Sequence, residues 1–472
     1  MANPYHIPCG VFSRLYHLAP EQEVAVAYNT VARSVALLEG EAACVWHHLY
    51  EGRGNPDRAL RFIAESNISP QEAPGAESDM LDEFLCELES AGLVSICGRS
   101  SRPPLVGTHK GDHEGRQTER EIAALMSENH VMHNLVVELT YDCNERCVHC
   151  YCPALRRRSE LAVESLMEMI SEFEELGGFS LQLTGGEILS RRSTKTVLSR
   201  LQGRNLVVSI ISNLTLLDSE SLELIAGLYP RSVGCSIYSA LPDVHDTVTR
   251  MPGSFDKSVA SILALRKRDV PVVIKTPLMR DTVAGWRKVE ALAESLGCTV
   301  QFDLNITARN DGGLSPTDLR VHDEAEIREL FETRFDRLHQ QGEPLGISQT
   351  GPGEDAALCG AGATGLCVSP DGMISPCIGL PIRLGQWPAD SLRDIWQNSV
   401  FLKEWEQRRL NDIPQCRACH HVSTCFRCPG SWYVEHGDFT RPNEYTCYLA
   451  RVAAASMLST KANASVNKEL QL

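Results

Sequence analysis

Residues 139–152 read Leu-Thr-Tyr-Asp-Cys-Asn-Glu-Arg-Cys-Val-His-Cys-Tyr-Cys, which sets Cys143, Cys147 and Cys150 in a CxxxCxxC spacing. Iron–sulfur clusters are normally held by four Cys thiolates. Three thiolates on one short loop therefore either take a fourth ligand from elsewhere or leave one iron of a cubane open to a substrate. The run before the loop, Asn-Leu-Val-Val-Glu-Leu-Thr at 134–140, is apolar and β-branched enough to be a buried strand. The thiols then stand at the carboxyl end of a strand, where α/β folds place their chemistry. Taken alone, the three Cys would also suit a zinc site or scattered core thiols.

The 18 cysteines of this 472-residue chain are clustered. Four lie at 143–152 and eight at 359–447, while Cys9, Cys44, Cys86, Cys97, Cys235 and Cys298 are scattered and read as small buried hydrophobes. The amino terminus lacks the charged and apolar regions of a signal peptide, and no run of about 18 apolar residues occurs. The chain is thus expected to be cytoplasmic, with no membrane partner. Disulfides are rare there, so clustered Cys point to metal or catalysis. A formal net charge of −16 and a pI near 5.4 argue against a nucleic-acid partner.

From 131 to about 310 strand-like and helix-like runs alternate. Strands are expected at 134–140, 179–184, 206–212, 232–238, 271–276 and 299–304, and helices at 160–176, 193–203, 217–228, 255–268 and 283–296. Such alternation implies right-handed βαβ units and a parallel sheet. Six strands are too few for an eight-fold barrel.

A CxxxCxxC loop after a first strand, followed by the aromatic Tyr151, resembles the radical S-adenosylmethionine (radical SAM) enzymes. The resemblance implies a partial (β/α)6 barrel and assigns further residues to SAM. Thr184-Gly185-Gly186-Glu187 follows the second strand, where the family has a Gly-Gly-Glu-Pro motif that binds the amino group of the methionine moiety; here Ile188 replaces the proline. Glycines at a strand end let backbone approach a ligand closely. Ser212-Asn213 stands where the family often has Thr-Asn-Gly, with Leu214 in place of the glycine, and would contact sugar or carboxylate. Ser236, in Ser-Ile-Tyr-Ser, would face the ribose or carboxylate, and Tyr151 joins the cofactor-binding set. His245 is a candidate acid or base, although a lone His is more often structural.

Beyond 311–350, which reads as a charged helical connection, Cys359, Cys367 and Cys377 surround an Asp371-Gly372 hairpin turn. A helix is expected near 391–408. Cys416-x2-Cys419-x5-Cys425-x2-Cys428 and Cys447 follow, a layout that resembles the SPASM extension with its two auxiliary [4Fe–4S] clusters. Family topology would give Cys359, Cys367, Cys377 and Cys428 to one cluster and Cys416, Cys419, Cys425 and Cys447 to the other. The family commonly has three residues, not two, between the positions of Cys425 and Cys428. A pair of zinc ribbons would use the same CxxC knuckles.

Residues 1–100 suggest a hairpin at 23–28 and 34–38, helices at 39–50, 57–65 and 79–91, and a strand at 92–96. This winged-helix-like pattern, with Leu-Leu-Glu-Gly-Glu-Ala-Ala and Glu-Ser-Ala-Gly-Leu-Val, resembles the PqqD-like peptide-recognition domains. Those bind a leader peptide as an added strand. A DNA-binding winged helix or a structural cap is the alternative.

The expected organisation is α/β: a PqqD-like, winged-helix-like domain at 1–100, a linker at 101–130 with a helix near 116–127, a radical SAM partial (β/α)6 barrel at 131–345, a Cys-rich SPASM domain at 346–460 and a polar tail at 461–472. The resemblance implies S-adenosyl-L-methionine and three [4Fe–4S] clusters as cofactors, with a 5′-deoxyadenosyl radical abstracting hydrogen from a ribosomally made precursor peptide. An oxidative C–C or C–S crosslink is the favoured outcome, and a flavodoxin or ferredoxin would be the one-electron reductant. Sulfatase-maturase-type oxidation and epimerisation, with Cys152 as hydrogen donor, are the alternatives within the family. A zinc-binding regulator is the alternative outside it.

Overall fold

The computed structural model describes residues 5–18, 22–53, 55–65, 76–96, 111–153, 160–341 and 355–469. It opens with β1 (Tyr5–His6), β2 (Val11–Leu18), β3 (Gln22–Asn29) and β4 (Ser34–Glu39). β2, β3 and β4 form an antiparallel sheet in that order, so the expected hairpin gains a third strand. β2 escaped the sequence reading because Arg14 and His17 break its apolar alternation. Both polar residues have partners: Arg14 reaches the Gly178 carbonyl at 2.6 Å, and His17 pairs with Glu23 at 2.7 Å.

Helices α1 (Gly40–Glu51), α2 (Pro56–Glu65) and α3 (Ala76–Ser90) follow. They cover one face of this sheet, where Trp46, Leu49, Ile63, Leu85 and Leu93 pack against Ala25 and Ala27. The expected strand 92–96 shrinks to β5 (Ser95–Ile96), paired with β1. The opposite sheet face buries Val24, Val26 and Tyr28 against Ile122 and Met126 of α4 (Gly111–Glu128) and against Phe179 and Val207. β3 is thus buried on both faces, which is why it reads as a nearly continuous apolar run. The helix α4 occupies most of the described part of the expected linker; Cys97 and residues 98–110 lie outside the described residues.

The barrel runs β6 (Asn134–Thr140), α5 (Val163–Glu175), β7 (Ser180–Gly185), α6 (Thr194–Leu201), β8 (Val207–Ser212), α7 (Ser219–Gly227) and β9 (Ser232–Ser236). It continues with α8 (Pro242–Thr249), α9 (Ser254–Arg266), β10 (Val272–Pro277), α10 (Trp286–Ser295) and β11 (Thr299–Asp303). All six expected strands and five expected helices are present; α8, short and half polar, was not foreseen. Adjacent strands are parallel and in sequence order.

After α11 (Glu324–Gln340), β12 (Gly365–Val368) pairs in parallel with β6, and β13 (Met373–Ser375) and β14 (Gly385–Gln386) extend the same sheet to nine strands. The carboxyl-terminal segment therefore shares the barrel's sheet, a pairing that no local pattern announces. The expected boundary at 345–346 lies outside the described residues. The expected helix near 391–408 divides into α12 (Leu392–Asn398) and α13 (Val400–Glu406), because Ser399 caps the second through its Oγ and the Leu402 N–H. The chain ends with α14 (Pro414–Arg417), α15 (Pro429–His436) and α16 (Glu444–Glu469). α16 overturns the expected tail from 461, since its alanines favour helix over coil. Among the described residues no helix is long and apolar enough to cross a membrane.

The amino-terminal sheet sits on the amino ends of the barrel strands. Tyr16 Oη lies 2.8 Å from His133 Nδ1 just before β6, and Arg14 contacts Gly178 before β7. Asn205 before β8 exchanges hydrogen bonds with the Ser13 backbone, and Thr30 Oγ1 donates to the Tyr229 carbonyl before β9 at 2.7 Å. The carboxyl ends are left for chemistry. Burial pushes His133 down to about 4. Unfolded His titrates near 6.5, so below that value the unfolded chain takes up a proton that the native state refuses. The stability held above pH ~6.5 should be lost progressively toward pH ~4, by up to about 3 kcal/mol. Thermal unfolding between these pH values should show a slope, and a His133→Gln variant should make it shallower while buried His149 and His245 keep their share; an equal slope in the variant would contradict the assignment.

Candidate active site

Beyond β6 the Cys loop is held by backbone and side chains rather than by regular structure. Asp142 N–H caps Thr140 Oγ1 at 3.0 Å. Arg146 N–H and Val148 N–H donate to the carbonyls of Thr249 and Val248 at 2.9 and 3.0 Å, which fastens the loop to α8. Cys143, Cys147 and Cys150 are all half-buried. Donors already point at two of the sulfurs: Glu145 N–H lies 3.4 Å and Asn213 Nδ2 3.8 Å from Cys143 Sγ, and the Tyr238 hydroxyl lies 3.6 Å from Cys147 Sγ. Hydrogen bonds to the sulfurs are among the features that tune an iron–sulfur site, so the donor set fits a thiolate-bound cluster. Among the described residues no three His, Cys, Asp or Glu side chains converge on the position of a single metal ion. A cubane, whose thiolates stand at separate corners, needs no such convergence.

Gly185 and Gly186 use their freedom against protein. Gly186 N–H donates to the Thr140 carbonyl at 2.7 Å and Glu187 N–H to the Asp142 carbonyl at 2.8 Å, so the β7 turn docks on the Cys loop. A Cβ on Gly186 would stand 2.4 Å from the Asp142 carbonyl oxygen, and Gly185 has a φ of +132°. Thr184 is buried in the strand beneath. The Glu187 carboxylate is fully buried and accepts three hydrogen bonds, from Ser212 Oγ at 2.7 Å, Leu189 N–H at 2.9 Å and Asn213 N–H at 2.6 Å. Burial nonetheless raises its pKa. Asn213 also reaches Asn144 Oδ1 of the loop at 3.1 Å. Cys143, Glu187, Ser212 and Asn213 are therefore brought together.

Ser236 ends β9 in register with Lys275, at the same rim. Tyr151 is directed elsewhere: its hydroxyl donates to Glu138 Oε1 at 3.0 Å, and Tyr141 donates to the other oxygen at 2.9 Å. Burial pushes Glu138 up to about 7, even with these two donors.

Sequence reasoning missed the residues that line the loop from below. The His149 ring lies edge-on to Tyr238 with centroids 4.8 Å apart, and its buried Nδ1 has no hydrogen-bond partner among the described residues. Its position immediately before Cys150 was the available signal. His245, the candidate acid or base, is fully buried between Tyr238 and Phe255, and its Nδ1 accepts from the Tyr238 N–H at 3.2 Å. Burial pushes it down to about 4, so it stays neutral and supports Tyr238. Its neighbour Asp246 caps α9, accepting from Ser254 Oγ at 2.8 Å and Phe255 N–H at 3.0 Å.

The eight Cys of the second region fall into two electrostatic neighbourhoods. Burial raises the pKa of Cys359, Cys367 and Cys377, and thiol neighbours add to it: Cys428 and Cys377 act on Cys359, Cys377 on Cys367, and Cys428 on Cys377. Burial likewise raises Cys416, Cys425 and Cys447, with smaller contributions from Cys447 and Cys419 on Cys416, from Cys447, Cys416 and Cys419 on Cys425, and from Cys419 on Cys447. The hairpin β12–β13 sets Cys367 beside Ser375, next to β6.

Residues 137–293 match the family model of the radical SAM superfamily, and residues 359–420 match that of the SPASM iron–sulfur cluster-binding domain. An AdoMet-dependent heme synthase of Methanosarcina barkeri is 29% identical over 333 residues, covering 66% of this chain and 95% of that protein. The antilisterial bacteriocin subtilosin biosynthesis protein AlbA of Bacillus subtilis is 24% identical over 362 residues, covering 76% of this chain and 77% of its own. The crystal structure of Streptococcus suis SuiB bound to precursor peptide SuiA superposes with a TM-score of 0.60 at 14% identity, covering 94% of this chain and 99% of that one. The last is a likeness of fold. With the thiol loop and the docked Gly-Gly-Glu turn in place, residues 137–293 are a radical SAM domain and residues 359–420 a SPASM iron–sulfur cluster-binding domain.

Proposed function

We propose that this enzyme modifies a ribosomally made precursor peptide, most simply by an oxidative C–C or C–S crosslink. The observation that carries the reading is the meeting of Cys143, Glu187, Ser212 and Asn213 at the carboxyl ends of β6–β8. It is supported by the relative AlbA, which acts in bacteriocin biosynthesis, and by a fold shared with a peptide-bound enzyme over almost the whole chain.

In this reading Cys143, Cys147 and Cys150 hold a [4Fe–4S] cluster. Cys359, Cys367, Cys377 and Cys428 hold a second, and Cys416, Cys419, Cys425 and Cys447 a third. The reduced first cluster, when bound with SAM, supplies a 5′-deoxyadenosyl radical that removes hydrogen from the substrate. Glu187 offers its one remaining acceptor site to the SAM ammonium, and Ser212 and Asn213 fix that carboxylate; Thr184, Gly185 and Gly186 set the turn, and Ser236 faces the ribose or carboxylate. Tyr151 serves at one remove, through Glu138. His149 and Tyr238 wall the loop with rings and exclude water. A crosslinked product leaves an electron behind, and eight further cysteines suffice for acceptors. The reductant is a flavodoxin- or ferredoxin-like donor, and the compartment is the cytoplasm.

Residues 1–100 would act as the PqqD-like unit and hold the leader along the outer edge of β4, which pairs only with β3 among the named strands. A second reading, heme synthesis, is favoured by the 29%, 22% and 24% identities to three AdoMet-dependent heme synthases.

Anaerobically reconstituted protein should hold about twelve irons, and a Cys143→Ala/Cys147→Ala/Cys150→Ala variant about four fewer with no 5′-deoxyadenosine formed, as three cubanes require. Stoichiometric zinc without iron would contradict the reading. Glu187→Ala should weaken SAM binding by tenfold or more, about the 1.4 kcal/mol of one charge-assisted hydrogen bond, in equilibrium dialysis. The leader edge and the rim lie at opposite ends of strands that span roughly 20 Å. A precursor whose leader motif and modified residue are separated by fewer than about six residues should therefore bind but not react, since an extended chain covers about 3.3–3.6 Å per residue.

A further inference from the structure

The strands of the barrel turn one face to the helices and the other to the lumen. Leu181, Leu183, Val208, Ile210, Val233, Cys235, Val272 and Ile274 pack with the helices in one core. Their alternates therefore face inward, and Lys275 is among them. It stands near the carboxyl end of β10, in register with Ser236 of β9 and Gln301 of β11. Cys235 is in register with Ser212, so Lys275 lies one residue beyond the level of Ser212, at the height of Asn213.

The site is built around this side chain. A Cβ on Gly234 would come within 3.3 Å of Lys275 Cε and 2.6 Å of Ile211 Cδ1, so the glycine leaves the stem room to stand in the lumen. Lys275 Nζ donates to Gln301 Oε1. An ammonium has three donors, so two remain. Among the described residues no carboxylate comes within ion-pair distance of Nζ. Asp303, two residues beyond Gln301 on β11, stays outside that distance and accepts the Asn305 N–H through Oδ1 at 2.7 Å, but its charge still acts on Lys275. Partial burial lowers the Lys275 pKa. The Asp303 carboxylate opposes this shift without cancelling it, so a partly desolvated cation still has room for a further negative charge beside it. In a chain of net charge −16 an inward ammonium with donors to spare selects where an anion can settle.

We propose that Lys275 is a substrate-recognition residue whose ammonium binds the carboxylate of an Asp or Glu side chain of the precursor peptide. Gln301 Oε1 orients the ammonium, and Gly234 keeps its path clear. The carboxylate holds the neighbouring segment of peptide at the rim, where Glu187, Ser212 and Asn213 converge. The inference deepens the peptide reading and rests on it.

The test needs no turnover and uses the whole reconstituted protein. Acetylation of individual lysines by an activated acetate ester is followed by mass spectrometry, with exposed Lys288 as the internal standard. The probes are SAM alone, SAM with the blocked pentapeptide Ala-Ala-Glu-Ala-Ala at millimolar concentration, and SAM with its Glu→Gln isostere. The Glu peptide should slow labelling of Lys275 about threefold at a concentration of twice its Kd, while the Gln peptide and SAM leave it unchanged. Equal protection by SAM alone would give Lys275 to the cofactor's own carboxylate and overturn the proposal. Equal behaviour of the Glu and Gln peptides would overturn it too. Failure of the peptide reading itself would show separately, as 5′-deoxyadenosine formation that no peptide stimulates.

Discussion

The buried carboxylate of Glu187 is the interaction on which the site depends. It receives Ser212 Oγ, Asn213 N–H and Leu189 N–H, while its own backbone N–H reaches the Asp142 carbonyl. One residue thereby ties the turn after β7 to the end of β8 and to the Cys loop after β6. A fully buried carboxylate survives only when its lone pairs are met, and each charge-assisted hydrogen bond contributes roughly 1.5–3 kcal/mol. Removing Glu187 would leave the Asn213 and Leu189 amides buried without acceptors, so its loss would loosen the thiol loop as well as any ligand contact.

The fold separates two tasks along the strand direction. The amino ends of β6–β9 are sealed by the amino-terminal sheet through Arg14, Tyr16, Ser13 and Thr30. The carboxyl ends carry the thiols, the Gly-Gly-Glu turn and the Ser212-Asn213 pair. The SPASM segment is wired to the same sheet, since Cys367 lies on β12 beside Val136 of β6. Glu138, two residues further along β6, binds both Tyr141 and Tyr151. The two Cys regions are thus connected through a single buried strand.

What was legible in the sequence followed from strong local signals. Apolar runs such as Phe179 to Leu183 and Leu206 to Ile211 announced buried parallel strands, and helix and strand positions in the barrel came within a few residues. The Cys spacing led to the chemistry. Long-range pairings were not legible: β12 is only four residues long, and nothing within Gly365–Val368 indicates that it will join β6. The roles of the glycines were misread in part, because a close approach to backbone and a close approach to a ligand leave the same mark in sequence. Tyr151 and His149 are both aromatic neighbours of Cys150. Only the fold distinguishes them, since it spends the Tyr151 hydroxyl on Glu138 and leaves His149 Nδ1 without a partner among the described residues.

The central claim is that the 143–150 loop presents an open iron beside Glu187. The direct test is electron–nuclear double resonance on the reduced protein with SAM isotopically labelled at its amino nitrogen. The account predicts a nitrogen coupling to the cluster that is present in the wild type and absent when Cys143, Cys147 and Cys150 are replaced. A reduced cluster whose spectrum is indifferent to labelled SAM would contradict it.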